Sequence, residues 1–209
     1  MFIAMNRFKV RIGSEAEFEK LEKGIRDMAM EIPASADEIA GVAEAAGQLG
    51  IETENILGFT RVMIDLGEST NMSADEAATS LARLANITGM SQTDFDRLGS
   101  TIVDLGNNLA TTEGEIVAMG LRLAGAGSQI GLTEAEIMSF AGALSSVGIE
   151  AEAGGSAFSK VMIEMQLAVE TGSEKLQDFA QVAGMSADEF STAFRDDAAG
   201  AIIAFIEGL

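Results

Sequence analysis

Residues 73–95 read SADEAATSLARLANITGMSQTDF, and this stretch decides the fold class. Ser73 stands where a helix N-cap accepts a hydrogen bond from a free backbone N–H. Glu76, three residues on, is placed to return the bond and to face the positive end of the helix dipole. Gly89 then supplies the left-handed conformation that ends a helix. Met90-Ser91 begins the same punctuation again.

The punctuation recurs along the chain. The tetrad Ser-Ala-Asp-Glu occurs at Ser35–Glu38, Ser73–Glu76 and Ser186–Glu189. Looser copies are Gly50-Ile51-Glu52, Gly89-Met90-Ser91, Thr112-Glu113-Gly114-Glu115 and the run Gly131–Glu136. The apolar residue before each cap is placed to staple onto the next helix. Caps are expected at Ser35, Thr53, Ser73, Ser91, Thr112 and Thr133, at intervals of about 20 residues, so two helices recur about every 39 residues. That is the length of a helical-hairpin repeat.

Between the caps lie stripes at helical spacing. They are Phe95, Leu98, Ile102, Leu105 and Leu109; Ile137, Phe140, Ala141 and Leu144; and Phe158, Val161, Met162, Met165 and Val169. No segment after residue 30 alternates as a strand does, and Pro33, the only proline, precedes a cap. The expected fold is all-α: eight to ten short antiparallel helices, as stacked hairpins or a compact bundle. Gly58, Gly99, Gly120 and Gly142 fall inside stripes, where each costs about 1 kcal/mol of helix propensity. They predict a mixture of close helix contacts and locally weak helix.

The first residues differ. Phe8, Val10 and Ile12 alternate with Lys9 and Arg11, as in a strand, before Gly13. Ser14-Glu15-Ala16-Glu17 reads as a capping box. Residues 1–26 carry six basic and four acidic side chains, a net of +2. The other 183 residues carry seven and 29, a net of −22, which together gives the −20 of the chain. The expected division is a strand-like segment over 1–13 and a helical region over 14–209. A lone strand has no partner strand within this chain.

Composition excludes several functions. The 209 residues include no His, Cys, Trp or Tyr. There is no thiolate, no disulfide and no Ser-His-Asp triad. The acidic balance opposes nucleic acid and anionic membrane surfaces. The longest apolar run, Ala198 to Ile206, is half a membrane span. Asp37/Glu38, Asp75/Glu76, Asp188/Glu189 and Asp196/Asp197 could pair as metal or acid–base carboxylates, but they fall in or beside first helical turns, where capping is the simpler role. Gly125–Ser128 and Gly154-Gly155-Ser156 lack the Gly-Lys-Ser/Thr ending of a phosphate loop and read as a helix end and a helix kink. Met63, Met138, Met162 and Met165 sit in apolar stripes and read as core; a Met-rich binding face is the alternative. No catalytic, cofactor-binding or metal residue is assigned.

Several stretches carry a resemblance. Gly24–Ala29 with Glu31–Ser35, Glu44–Ile51, Phe59–Met63, Ser73–Ala78 and Gly148–Gly155 resemble, in order, the core region of phage tail tape measure proteins, over residues 15–209. The resemblance implies a non-enzymatic protein that sits inside the tail tube and sets tail length during assembly. It implies tail tube protein and tail assembly chaperones as partners, homo-oligomerisation of the full-length protein, and a place in the virion, or in the host cytoplasm during assembly or as a prophage. The chain is shorter than such proteins and reads as a fragment, with Leu209 expected within a helix. Met1–Val10 and Gly13–Glu19 resemble the opening of antibiotic-biosynthesis and haem-degrading monooxygenases, a ferredoxin-like family, with Asn6 at the position of that family's active-site Asn. Its haem-binding His has no counterpart here. The two resemblances overlap at Gly13–Glu19, as in a chimera joined there. A helical-repeat scaffold binding another protein is the second reading, and an inactive monooxygenase remnant the third.

Overall fold

A computed structural model describes residues 15–209. The strand-like reading of residues 1–13, and Ser14 of the first capping box, lie outside the described residues. Among the described residues the structure is all-α, with eleven α-helices and one π-helical turn. The chain divides into two compact units, Met1–Val117 and Ala118–Leu209.

The first unit holds α1 (Glu15–Glu31), α2 (Ala36–Gln48), α3 (Ile56–Ser69), α4 (Ala74–Thr88) and α5 (Phe95–Asn108). The division falls within α6 (Glu113–Gln129). Packing follows the repeat read from the sequence: α2 packs on α3 and α4, and α3 packs on α4 and α5. Helix α2 thus meets its hairpin partner α3, and α2 and α3 each meet the equivalent helix of the next layer. Ile39, Phe59, Met63, Leu81, Leu84 and Ile102 fill the space between, fully buried. Phe59 of α3 meets Phe95 of α5 edge to face at 4.7 Å between ring centres. Fully burying side chains of this size contributes about 1.5–3 kcal/mol each.

The layers repeat at the level of single residues. Gly67 lies one turn before the end of α3, and a Cβ there would stand 3.0 Å from the backbone N of Ala74, the first residue of α4. Gly106, 39 residues later, holds the same place before Glu113, the first residue of α6, but a Cβ there would meet the Glu113 side chain and not its backbone. Loops tie successive layers. The Gln92 amide donates to the Gly50 carbonyl at 3.1 Å and accepts from the Glu52 backbone N–H at 2.8 Å. Asn71 accepts from the Gly114 backbone N–H at 3.0 Å.

The second unit holds the C-terminal part of α6, α7 (Glu134–Ser146), the π-helical turn Ala151–Gly155, α8 (Ser156–Thr171), α9 (Glu174–Val182), α10 (Ala187–Asp196) and α11 (Ala198–Glu207). Here α10 packs on α8, α9 and α11. Phe179, Phe190, Phe194 and Phe205 form a chain of ring contacts with centres 5.5–6.4 Å apart. The last 40 residues are cut into three helices of nine or ten residues by Gly172, Gly184 and Asp197. These short pieces raise the helix number above the eight to ten expected. Helix α11 ends at Glu207, capped by the Gly208 N–H on the Ala204 carbonyl, so Leu209 lies outside a helix.

Two expected caps are corrected. Thr53 and Ser91 do not open helices. Each lies in a short turn instead, closed by the Asn55 N–H on the Glu52 carbonyl and the Asp94 N–H on the Ser91 carbonyl. Helices α3 and α5 start after those turns, at Ile56 and Phe95. Their N-caps, Asn55 and Asp94, make no side-chain capping bond. A backbone turn here takes the place of the side-chain cap.

Candidate functional site

The paired acids fall at helix starts, and in three of the four pairs one acid takes part in a cap. Ser73, Thr112, Thr133 and Ser186 each accept a bond from the backbone N–H three residues on. Glu76, Glu115, Glu136 and Glu189 accept in turn from the cap residue's own backbone N–H at 2.8–3.0 Å. Ser35 accepts from the Glu38 N–H at 3.2 Å, which is half of the same motif. Side-chain caps of this kind contribute about 1 kcal/mol each. The bonds from the cap residues hold the carboxyls of Glu76, Glu115 and Glu189 below the ordinary glutamate value. The residue after each box, Ile39, Ala77, Ile116, Ile137 or Phe190, is fully buried. Each box therefore pins the point at which its helix enters the core.

Asp196 and Asp197 separate in role. Asp196 ends α10, and Asp197 caps α11 by accepting from the Gly200 N–H at 2.9 Å. Among the described residues no group of three or more Asp, Glu, His or Cys side chains converges as a metal site.

The glycine segments have structural places. Gly125–Ser128 forms the last turns of α6. Gly154 and Gly155 belong to the π-helical turn that leads into α8. A Cβ on Gly155 would stand 2.8 Å from Cβ of Arg122 on α6, so the turn approaches α6 closely. Ser159 of α8 donates to the Arg122 carbonyl at 2.9 Å. The stripe glycines are mixed, as expected. A Cβ on Gly99 would stand 3.0 Å from Val62 and one on Gly120 2.9 Å from the sulfur of Met138, whereas one on Gly58 would meet open space.

Methionine is core material. Met28, Met63, Met72, Met119, Met138, Met162 and Met165 are buried. Met90 and Met185 are half-buried, which leaves Met30 as the exposed methionine among the described residues. A Met-rich face is not formed by them.

A groove between α7 and α11 is a surface feature with binding capacity. It has a volume of about 560 Å³ and is lined by Glu136, Ser139, Phe140 and Ala143 of α7. Ala199, Gly200, Ile203, Ile206 and Glu207 of α11 form the opposite wall, with Asp197 at its head. The spacings i, i+3, i+4, i+7 on α7 and i, i+1, i+4, i+7, i+8 on α11 put each set on one helix face. Ile203 and Ile206 are 47% and 45% exposed, in a position where burial is the norm for isoleucine. The sequence contained this signal in the uninterrupted apolar run Ala198–Ile206, and the stripe Ile137–Leu144 marked the buried side of α7. Nothing in the sequence set α7 and α11 side by side.

No described helix is long and apolar enough to cross a membrane. A family model described as phage-related minor tail protein matches residues 22–209. No curated protein matches the chain, and no solved structure does.

Proposed function

The chain belongs to the phage-related minor tail protein family, and from that premise we propose that it acts as the helical core of a tail tape measure, fixing tail length while tube subunits assemble around it. Membership gives a structural role in the phage tail. The finer reading rests on one observation, the 39-residue layer that recurs from α2–α3 to α4–α5 with a glycine at the same place of each, Gly67 and Gly106. A measuring device needs mass added in equal increments along the chain. A repeat whose layers contact only their neighbours supplies that. Tail tube protein and tail assembly chaperones are the proposed partners. Assembly in the host cytoplasm and self-association of the full-length protein belong to the same proposal.

The test is excision of residues 73–111, one layer, from the phage-encoded protein, with tail length measured by electron microscopy. If the layer is drawn out as continuous helix in the tail, tails shorten by about 58 Å, from a rise of about 1.5 Å per residue. If it stays folded as a layer, they shorten by about 10 Å, one helix-packing distance. Tails of unchanged length would refute length determination and favour the second reading, a helical scaffold that binds another tail protein. The groove between α7 and α11 is the observation that keeps this second reading in view.

A further inference from the structure

We infer that the groove between α7 and α11 is a docking site for an amphipathic helix of a partner protein, with an apolar face and Lys or Arg flanking it. The inference does not depend on the tape measure reading.

The shape comes first. Two helix faces, running i to i+7 on α7 and i to i+8 on α11, line the groove over about 10 Å, or two helical turns. Its lining alternates the small residues Ala143, Ala199 and Gly200 with the large apolar residues Phe140, Ile203 and Ile206. Small residues between large ones make sockets for two or three apolar side chains at i, i+3 or i+4, and i+7, which is how a helix seats in a groove.

Charge selects the occupant. Glu136, Asp197 and Glu207 rim the groove, and no Lys or Arg lines it. Glu136 and Asp197 cannot swing away, because each is held by a capping bond. An incoming helix with acidic flanks would place like charges beside these fixed carboxylates, and a basic one would place opposite charges there. A second copy of this chain is a poor occupant for the same reason, since residues 27–209 carry a net charge of −22. The surrounding negative field would also speed the approach of a basic segment.

The test uses the 209-residue chain and two fluorescein-labelled helical peptides of about 15 residues. Both carry the same leucine face, one flanked by lysines and the other by glutamates, and binding is read by anisotropy at low and high salt. The lysine peptide is expected to bind at least tenfold more tightly than the glutamate peptide and to weaken with salt. Ile203→Gln and Ala143→Arg should each weaken it tenfold or more, and both positions are exposed enough for the chain to fold, as circular dichroism would check. Glu207→Lys should weaken it about threefold. Ile87→Gln, an exposed isoleucine of α4, should change nothing. Equal binding of both peptides would overturn the inference. So would undiminished binding to the Ile203 and Ala143 variants, which would reduce the effect to bulk charge. A self-associating chain that Ile203→Gln makes monomeric would give the groove to a second copy instead.

Discussion

The two units solve the same packing problem in different ways. In the first, α2 and α3 pack on α4 and α5, the helices at the same places of the next repeat. In the second, short helices gather around phenylalanine rings, and several faces stay open. Exposed large apolar side chains divide accordingly among the described residues. Met30 and Ile87 lie in the first unit; Val147, Ile149, Ile163, Leu167, Ile203, Ile206 and Leu209 lie in the second. A repeat buries apolar surface layer by layer and leaves little over. An irregular cluster closes its centre and leaves its rim, so the second unit is where a binding surface is to be sought.

The largest effects come from removing the ring at each centre. Phe59→Ala and Phe190→Ala should each cost about 3–5 kcal/mol in urea unfolding. Phe59 is wedged between layers of fixed spacing, so its cavity should persist and its cost lie at the upper end. Phe190 has Phe179 and Phe194 beside it, which can shift into the gap, so its cost should lie at the lower end. Equal costs, or the reverse order, would break the contrast between a rigid repeat and an adaptable cluster.

Glycines test the repeat more finely. Gly67→Ala gains about 1 kcal/mol of helix propensity. It also drives a methyl against the α4 backbone at 3.0 Å, which cannot yield. The net should be a loss of about 1 kcal/mol. Gly106→Ala meets only the flexible Glu113 side chain, so its net should be near zero. Gly58→Ala meets open space and should stabilise by about 0.5–1 kcal/mol. A loss at Gly58 as large as at Gly67 would show that the close turn between layers is not what Gly67 is for.

An effect of similar size lies inside α3. Thr60 is fully buried and its hydroxyl has no hydrogen-bond partner. Thr60→Val removes the unpaired group at constant shape and should raise stability by about 1 kcal/mol, read in the same urea titration. A loss instead would mean that the hydroxyl has a role in the layer that its geometry does not disclose.

Much of the first unit was legible because local chemistry and global repeat coincide there. Ser73 with Glu76 marks a helix start, and Gly89 marks an end, in sequence and in structure alike. The misplacement of caps at Thr53 and Ser91 has a physical source. Residues of cap type were present, but turns at Glu52–Asn55 and Ser91–Asp94 precede these helices, and the same residue types serve turns and caps: the Ser91 hydroxyl accepts from the Thr93 N–H within its turn. The groove was less legible. Ile203 and Ile206 look like core in a periodic reading. Their exposure follows from what lies across from α11, which is a long-range property.

The smallest effect concerns the capping acids, and it compares one box of the second unit with two of the first. Glu76 and Glu115 in the first, and Glu189 in the second, have carboxyls lowered by bonds from their cap residues. In the unfolded chain each returns to about 4.3. A group whose folded value is lowered adds stability that is complete above the unfolded value and is lost as pH falls through the folded one. Stability supplied by the boxes should therefore hold from pH 7 to about pH 5 and fall away below about pH 4. Glu76→Gln with Glu115→Gln, and Glu189→Gln alone, keep a hydrogen-bonding side chain but remove the titration. The gap in melting temperature between parent and variant should be constant above pH 5 and shrink towards zero in acid. The double variant should show the larger gap, since it removes two such groups. A gap that widens in acid would reverse the sign and remove the caps from the account of acid unfolding. A larger gap for Glu189→Gln would place the dependence on capping in the irregular cluster and not in the repeat.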